Sequence, residues 1–225
     1  MRFVPLISSR SDPGEWVAAG AVALAWDGDV HGGWGQAVRR GMAIPAIHLP
    51  QNGTLEEGVE ALGWGLNPDF LVLCAPRPAT REEGFRLLGR LEALLEAASG
   101  RGTKLALRIE GGAEAEVADL LRQARAEAVG FCWHPATADV DALVDRLWCG
   151  VCEPSSDLRP LQRLGYRWDM ALPARDPEAF RREATVLEVA HPPVLFPADL
   201  PPVARPAGPE GELVFGRHWN SEGRP

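Results

Sequence analysis

Short, continuous apolar runs recur along this chain, each stopped by a proline or a glycine pair, with stretches of helical periodicity between them. In the second half the runs read Val129-Gly-Phe-Cys-Trp-His134-Pro, Leu147-Trp-Cys-Gly-Val-Cys-Glu153-Pro, Tyr166-Arg-Trp-Asp-Met-Ala-Leu172-Pro and Val186-Leu-Glu-Val-Ala-His191-Pro. Their prolines, Pro135, Pro154, Pro173 and Pro192, stand nineteen residues apart. A proline offers no N–H to a ladder and disfavours helix in the residue before it, so each marks a place where a buried strand ends and the chain turns. Earlier, Ile44-Pro-Ala-Ile-His48 and Phe70-Leu-Val-Leu-Cys74-Ala carry the same punctuation at Pro50 and Pro76, and Leu105-Ala-Leu-Arg-Ile-Glu110 is stopped by Gly111-Gly112. Runs that are apolar throughout, rather than alternating, belong to strands buried on both faces, the mark of a parallel sheet covered by helices.

Between the runs, Arg81 to Ala98 carries Phe85, Leu88, Leu91 and Leu95 at helical spacing, and Ala113 to Ala126 carries Val117, Leu120 and Leu121. Two further strands are expected at Phe3 to Ile7 and Ala21 to Trp26, joined by a very short connection through Pro13 to Ala19. Repeated strand–helix units of this length predict a (β/α)8 TIM barrel, with an open doubly wound sheet as the alternative. Nine candidate strands compete for eight places, so one of the runs at 166–172 and 185–191 is surplus.

At 225 residues, 46% of them hydrophobic, the chain fits one barrel domain, expected over residues 1–196. The Pro- and Gly-rich stretch that follows predicts an irregular extension over 197–225. It ends in Leu213-Val-Phe-Gly-Arg-His-Trp219, apolar enough to pack on the barrel or on a neighbouring subunit, which leaves a homo-oligomer open. A net charge of −8 without a basic run argues against nucleic acid as a partner. No signal-type segment and no run of membrane-spanning length is present, so the expected location is cytoplasmic, away from membranes. The four cysteines fall within predicted strands as small buried hydrophobes, and Cys149-x-x-Cys152, despite its redox spacing, would point its thiols to opposite faces. There is no GxGxxG after a strand, no P-loop and no serine in a nucleophile-elbow setting.

In such barrels chemistry gathers at the carboxyl ends of the strands. The side chains just before the stops are His48, Cys74, Glu110, His134, Glu153 and Glu188, joined by Asp27, Asp29 and His191. Carboxylates and histidines converging on one mouth are the ligand types of a divalent ion such as Zn²⁺ or Mn²⁺. The same residues have an ordinary structural use: acids at strand ends cap the next helix or pair with arginines such as Arg77, Arg108 and Arg159. Trp133, Trp26 and Trp168 are candidates for the floor of a sugar-sized pocket.

The order of these motifs resembles the xylose-isomerase-like TIM-barrel family of sugar isomerases and epimerases. The stretches that carry it are Pro68-Asp-Phe-Leu-Val-Leu-Cys-Ala-Pro76, the helix Arg81 to Ala98, and Gly102-Thr-Lys-Leu-Ala-Leu-Arg-Ile-Glu110, similar to that family's metal-binding glutamate strand. Val186-Leu-Glu188-Val resembles its final strand and second glutamate. The resemblance implies a divalent metal (Mn, Zn, Mg or Co) held by two glutamates, an aspartate and a histidine, and interconversion of ketose with aldose or of epimers through an enediolate. It would make Glu110 and Glu188 both ligands and proton carriers. The chain departs from the pattern at Cys132-Trp-His134, at Gly150-Val-Cys152-Glu153 and at the glycines after Glu110. A rebuilt site would draw on Glu110, His134, Glu153 and Glu188 for metal, with His48, Trp133 and Arg108 toward a small sugar-like substrate. The expected function is a metal-dependent sugar or sugar-phosphate isomerase or epimerase. The alternative is a degenerate barrel without metal or turnover that binds a ligand or a partner.

Overall fold

A computed structural model describes residues 1–8, 11–21, 23, 25–27, 43–49, 68–75, 77–98, 101–109, 113–123 and 128–192, with the backbone alone at 8, 26 and 27. The apolar runs become strands: β1 (Arg2–Ser8), β2 (Ala25–Asp27), β3 (Ala46–His48), β4 (Phe70–Ala75), β5 (Lys104–Ile109), β6 (Val129–Trp133), β7 (Leu147–Val151) and β8 (Asp169–Pro173). Each pairs parallel with its neighbour in sequence, and β1 also pairs with β8, so the sheet curls closed as a parallel α/β barrel. Ladder contacts link Leu71 with Leu105, Leu107 with Phe131, and Gly150 with Met170. The expected neighbours at 44–48, 70–75, 105–110, 129–133 and 147–152 therefore lie side by side and parallel.

Strand alternation sorts side chains into two cores. Val4, Leu6, Ala25, Ala46, Phe70, Val72, Ala106, Cys132, Cys149, Val151 and Ala171 pack together inside the barrel. Their strand neighbours, including Ile7, Ile47, Leu71, Leu73, Leu105, Leu107, Phe131 and Leu172, pack outward against the helices. Gly130 is required by crowding: a β-carbon there would stand 2.5 Å from both the Arg146 carbonyl and the Trp148 ring. Immediately beyond it, the β6–β7 register shifts between Phe131 and Cys132.

The described helices are α1 (Pro13–Ala18), α2 (Arg81–Ala98), α3 (Glu114–Gln123), α4 (Arg159–Arg163) and α5 (Pro177–Ala190), with a 3-10 turn at Asp141–Leu143. The short connection between β1 and β2 holds a helix, started by Pro13 in the first turn and by Asp12, whose carboxylate accepts the Gly14 N–H at 2.8 Å. On α2 the buried stripe is Gly84, Leu87, Leu91, Leu94 and Ala98, which keeps the expected Leu91 and leaves Leu88 and Leu95 partly buried against the core. Phe85 is exposed and lies under the Arg81 guanidinium at 5.5 Å.

The competition for the last strand is settled in favour of 169–173. The run around Val186–His191 is instead the end of α5, so Glu188 sits on a helix, exposed, and not at a strand end. Asp176 caps that helix by accepting the N–H groups of Glu178 and Ala179 at 3.0 and 2.8 Å, Pro177 opens it, and Ala184 and Leu187 bury its inner face. The nineteen-residue proline spacing therefore marks three strand ends and one helix end. Residues Met1–His191 make one compact unit. No helix among the described residues is long and apolar enough to cross a membrane.

Candidate functional site

His48 closes β3 on the same side as Ala46, an interior residue, and alternation therefore turns it into the barrel. It is 1% exposed, and neither ring nitrogen has a hydrogen-bond partner among the described residues. Burial, and then the charge of Arg108, push its pKa down to about 3, so the imidazole is neutral at neutral pH. Arg108 stands on β5 two residues after the interior Ala106, in register with Cys74 across β4, and is partly buried. The ladder aligns His48 with Val72 and Val72 with Ala106, which puts the guanidinium one interior layer nearer the carboxyl end than the imidazole. No ion pair or hydrogen bond to Arg108 is found among the described residues. Two residues named from the sequence, on strands separated by β4, thus face one another at the carboxyl end of the barrel.

His134 has the opposite circumstances. Its Nε2 donates to the Ile109 carbonyl at 2.9 Å, and its Nδ1 accepts the Ala136 N–H at 3.3 Å. These two bonds fix the Nε2–H tautomer. The Glu114 carboxylate also approaches Nε2 at 3.3 Å, yet neither of its oxygens has a hydrogen-bond partner. The shorter and better aligned Ile109 contact holds the proton. Glu114, 1% exposed in the first turn of α3, is the residue that sequence reasoning missed. Its signal was an acid opening the helix after the glycine stop, where the helix dipole favours negative charge.

Two of the other expected site residues, Glu153 and Glu188, are exposed. Glu153 is exposed beyond β7, where its N–H donates to Ser156 Oγ at 2.8 Å. Glu188 is exposed on α5, outside the sheet. Trp133 belongs to the outer core and lines a cleft of about 340 Å³ with Pro135, Asp139, Asp141, Asp157 and Arg163, residues of the segments that follow β6 and β7. Trp168 precedes β8 and meets the ring of Phe70, the first residue of β4, edge-on at 5.7 Å, so it covers the amino end. Glu110 and Asp29 lie outside the described residues, as does the side chain of Asp27.

Carboxylate–arginine pairing takes several of the other charges, as the ordinary reading expects. Arg159 holds Asp157 at 2.7 Å and lowers its pKa to about 2, and Arg77 reaches Glu116 at 3.3 Å. The cysteines are all free. Cys149 faces the interior and Cys152 the outer core, so that pair does divide between faces. Burial pushes Cys152 up to about 12, and burial together with a hydrogen bond to Cys132 raises Cys149, which makes both poor nucleophiles.

Among the described residues, no group of three or more His, Cys, Asp or Glu side chains is placed to hold a metal ion. His134 has both nitrogens committed, and Glu188 sits on a helix. The described residues do not make the metal centre that the resemblance implies.

No family model and no curated protein matches the chain. Solved structures match its fold. A xylose isomerase domain protein from Planctomyces limnophilus has a TM-score of 0.61 at 12% identity, over 84% of this chain and 94% of that one. The IolI protein with a bound zinc atom gives 0.58 at 10% identity, over 84% and 96%. A D-allulose 3-epimerase from Methylomonas sp., in complex with D-allulose, gives 0.55 at 12% identity, over 76% and 83%. The fold is that of xylose isomerase-like and sugar epimerase structures.

Proposed function

We propose that this chain is a sugar isomerase or epimerase that works at the carboxyl mouth of a (β/α)8 barrel, moving the proton beside a carbonyl group through an enediolate. The observation that carries the reading is the buried, unpartnered imidazole of His48 beside Arg108, in a fold shared with an epimerase that holds D-allulose. An enediolate places negative charge on oxygen, and a fixed guanidinium in a site of low dielectric lowers its cost. A neutral imidazole offers one N–H to a substrate oxygen and one lone pair to a hydroxyl proton. Glu110, two residues beyond Arg108 in sequence, supplies the carboxylate base. Glu188 has no part in this scheme because it sits on α5.

A divalent ion, Mn²⁺, Zn²⁺, Mg²⁺ or Co²⁺, enters this reading only through residues beyond those described. The zinc of the IolI structure supports it, and the commitments of His134 oppose it. The test is exchange in heavy water, with and without added metal, over ketoses and ketose phosphates. Deuterium at the carbon next to the carbonyl is expected in the wild type, and Glu110→Gln is expected to abolish it while the fold persists. Absence of exchange across the panel would overturn the reading.

The second reading is a barrel that binds its ligand without turnover. The replacement of expected ligand positions by Cys132-Trp-His134 and Gly150-Val-Cys152-Glu153 favours it. It expects ligand binding without exchange in the wild type.

A further inference from the structure

We propose that the His48–Arg108 site selects molecules with an anionic oxygen group, a carboxylate or a phosphate, and that neutral sugars are poor ligands. The inference deepens the function proposed above and rests on the same site.

Three observations carry it. The chain has 31 acidic against 23 basic residues, so partners for a guanidinium are abundant. Elsewhere arginines find them: Arg2 with Asp169, Arg122 with Asp119 at 2.8 Å, and Arg163 with Asp141 at 3.4 Å. Arg146, buried like the mouth residues, donates to the Val129 carbonyl at 3.0 Å. Arg108 has neither kind of partner among the described residues, although it is partly buried on an interior strand position. Beside it His48, 1% exposed, leaves a donor and an acceptor unused. Leaving such groups without a partner costs stability, and an incoming oxyanion recovers that cost by accepting from both side chains.

The chemistry of these donors favours an anion over a hydroxyl. A guanidinium presents parallel N–H groups that match two oxygens of a carboxylate or phosphate, and the imidazole N–H adds a third donor. A neutral sugar hydroxyl meets the same guanidinium with a single neutral acceptor. Charge-assisted bonds of the first kind separate the two ligand classes by about tenfold or more in affinity.

Calorimetric titration of the full chain tests this with D-glucuronate and D-fructose 6-phosphate as anionic probes, D-fructose and D-allulose as neutral ones, and inorganic phosphate as competitor. The expected result is measurable binding of at least one anionic probe, weakened by salt, with neutral sugars at least about tenfold weaker. Response to glucuronate alone assigns the carboxylate; response to the phosphate ester, displaced by inorganic phosphate, assigns the phosphate. Arg108→Met should remove the preference, and Arg108→Lys should restore part of it, since it keeps charge but not the fork. A wild-type melting temperature raised by the binding anion, and not by neutral sugars, gives a reading that needs no variant to fold. Equal binding of neutral and anionic probes, or an unchanged preference in Arg108→Met, overturns the inference. The two proposals fail separately. Anion binding without deuterium exchange removes the isomerase and leaves this site, whereas exchange of neutral ketoses unchanged in Arg108→Met removes this site and leaves the isomerase.

Discussion

The two ends of the barrel treat their polar groups differently. At the amino end Arg2 holds the Asp169 carboxylate, with Nε to Oδ1 at 2.8 Å, and the Tyr166 hydroxyl donates to the Asp169 carbonyl at 3.2 Å. Trp168 lies edge-on to Phe70, and the Lys104 ammonium sits 5.1 Å over the Trp148 ring. At the carboxyl end, among the described residues, His48 is buried without a hydrogen-bond partner beside an Arg108 without an ion pair. Charges and dipoles that answer one another stabilise a fold, whereas a buried donor left unanswered lowers stability and persists where a ligand answers it. The amino end is held by answered charges, and the carboxyl end is where we place the proposed site.

The largest expected effect tests the amino end. Phe70, 6% exposed inside the barrel and closed over by Trp168, should cost about 3–5 kcal/mol of unfolding free energy when changed to Ala. A loss below about 1 kcal/mol in urea unfolding would show that this end is not the packed plug the contacts describe.

Next comes the carboxyl end's sensitivity to acid. His48 has a folded pKa of about 3 against an ordinary value of 6.5, so between those values the unfolded chain binds a proton that the folded chain refuses. The stability that rests on the neutral imidazole is fully present above pH 6.5 and is lost as pH falls toward 3, by at most about 1.4 kcal/mol per pH unit. His48→Leu should flatten that slope. At pH 7 it should also equal or exceed the wild type, by up to about 1–3 kcal/mol, because two unsatisfied buried nitrogens disappear. Urea unfolding of both proteins at pH 4, 5 and 7 checks this; a variant markedly weaker at pH 7 would mean that His48 is structurally satisfied.

His134 sharpens the contrast within one residue type. Because it bonds the Ile109 carbonyl and the Ala136 N–H, His134→Ala should destabilise by about 1–3 kcal/mol, opposite in sign to His48→Leu. If the two substitutions change stability in the same direction, burial rather than bonding controls both sites.

The smallest effect is at the rim of the amino end. Arg2→Met should cost about 1 kcal/mol or less, since Arg2 is largely exposed, and about 1 M salt should erase most of that difference. A larger, salt-independent loss would place the pair among the buried interactions.

The misread stretch at 185–191 shows where legibility ended. Its apolar residues stop at Pro192 as a strand would, but Asp176-Pro177 upstream is a helix start, and Phe180, Ala184 and Leu187 keep helical spacing to its end. The start signal outweighs the stop signal because a capped, continuous helix satisfies the backbone groups that an isolated ninth strand would leave unpaired. A similar limit applies to the buried stripe of α2. Its apolar residues surround more than one stripe, and Gly84 sits where a β-carbon would stand 2.5 Å from the Leu120 side chain of α3, against which that face packs.

What the sequence determined by itself is the alternation of buried parallel strands with helices, because apolar runs ended by prolines and glycines carry that information locally. It also offered His48, at a strand end, and Arg108, two residues before Glu110, as candidates for the barrel's mouth. Only the tertiary structure decided that these two face one another while His134 turns to Ile109 and Glu114, and Glu188 leaves on a helix. Which side chains converge depends on strand register and on which carbonyls lose their ladder partners at each strand end. Those are properties of pairs of segments far apart in the chain, and no single segment specifies them.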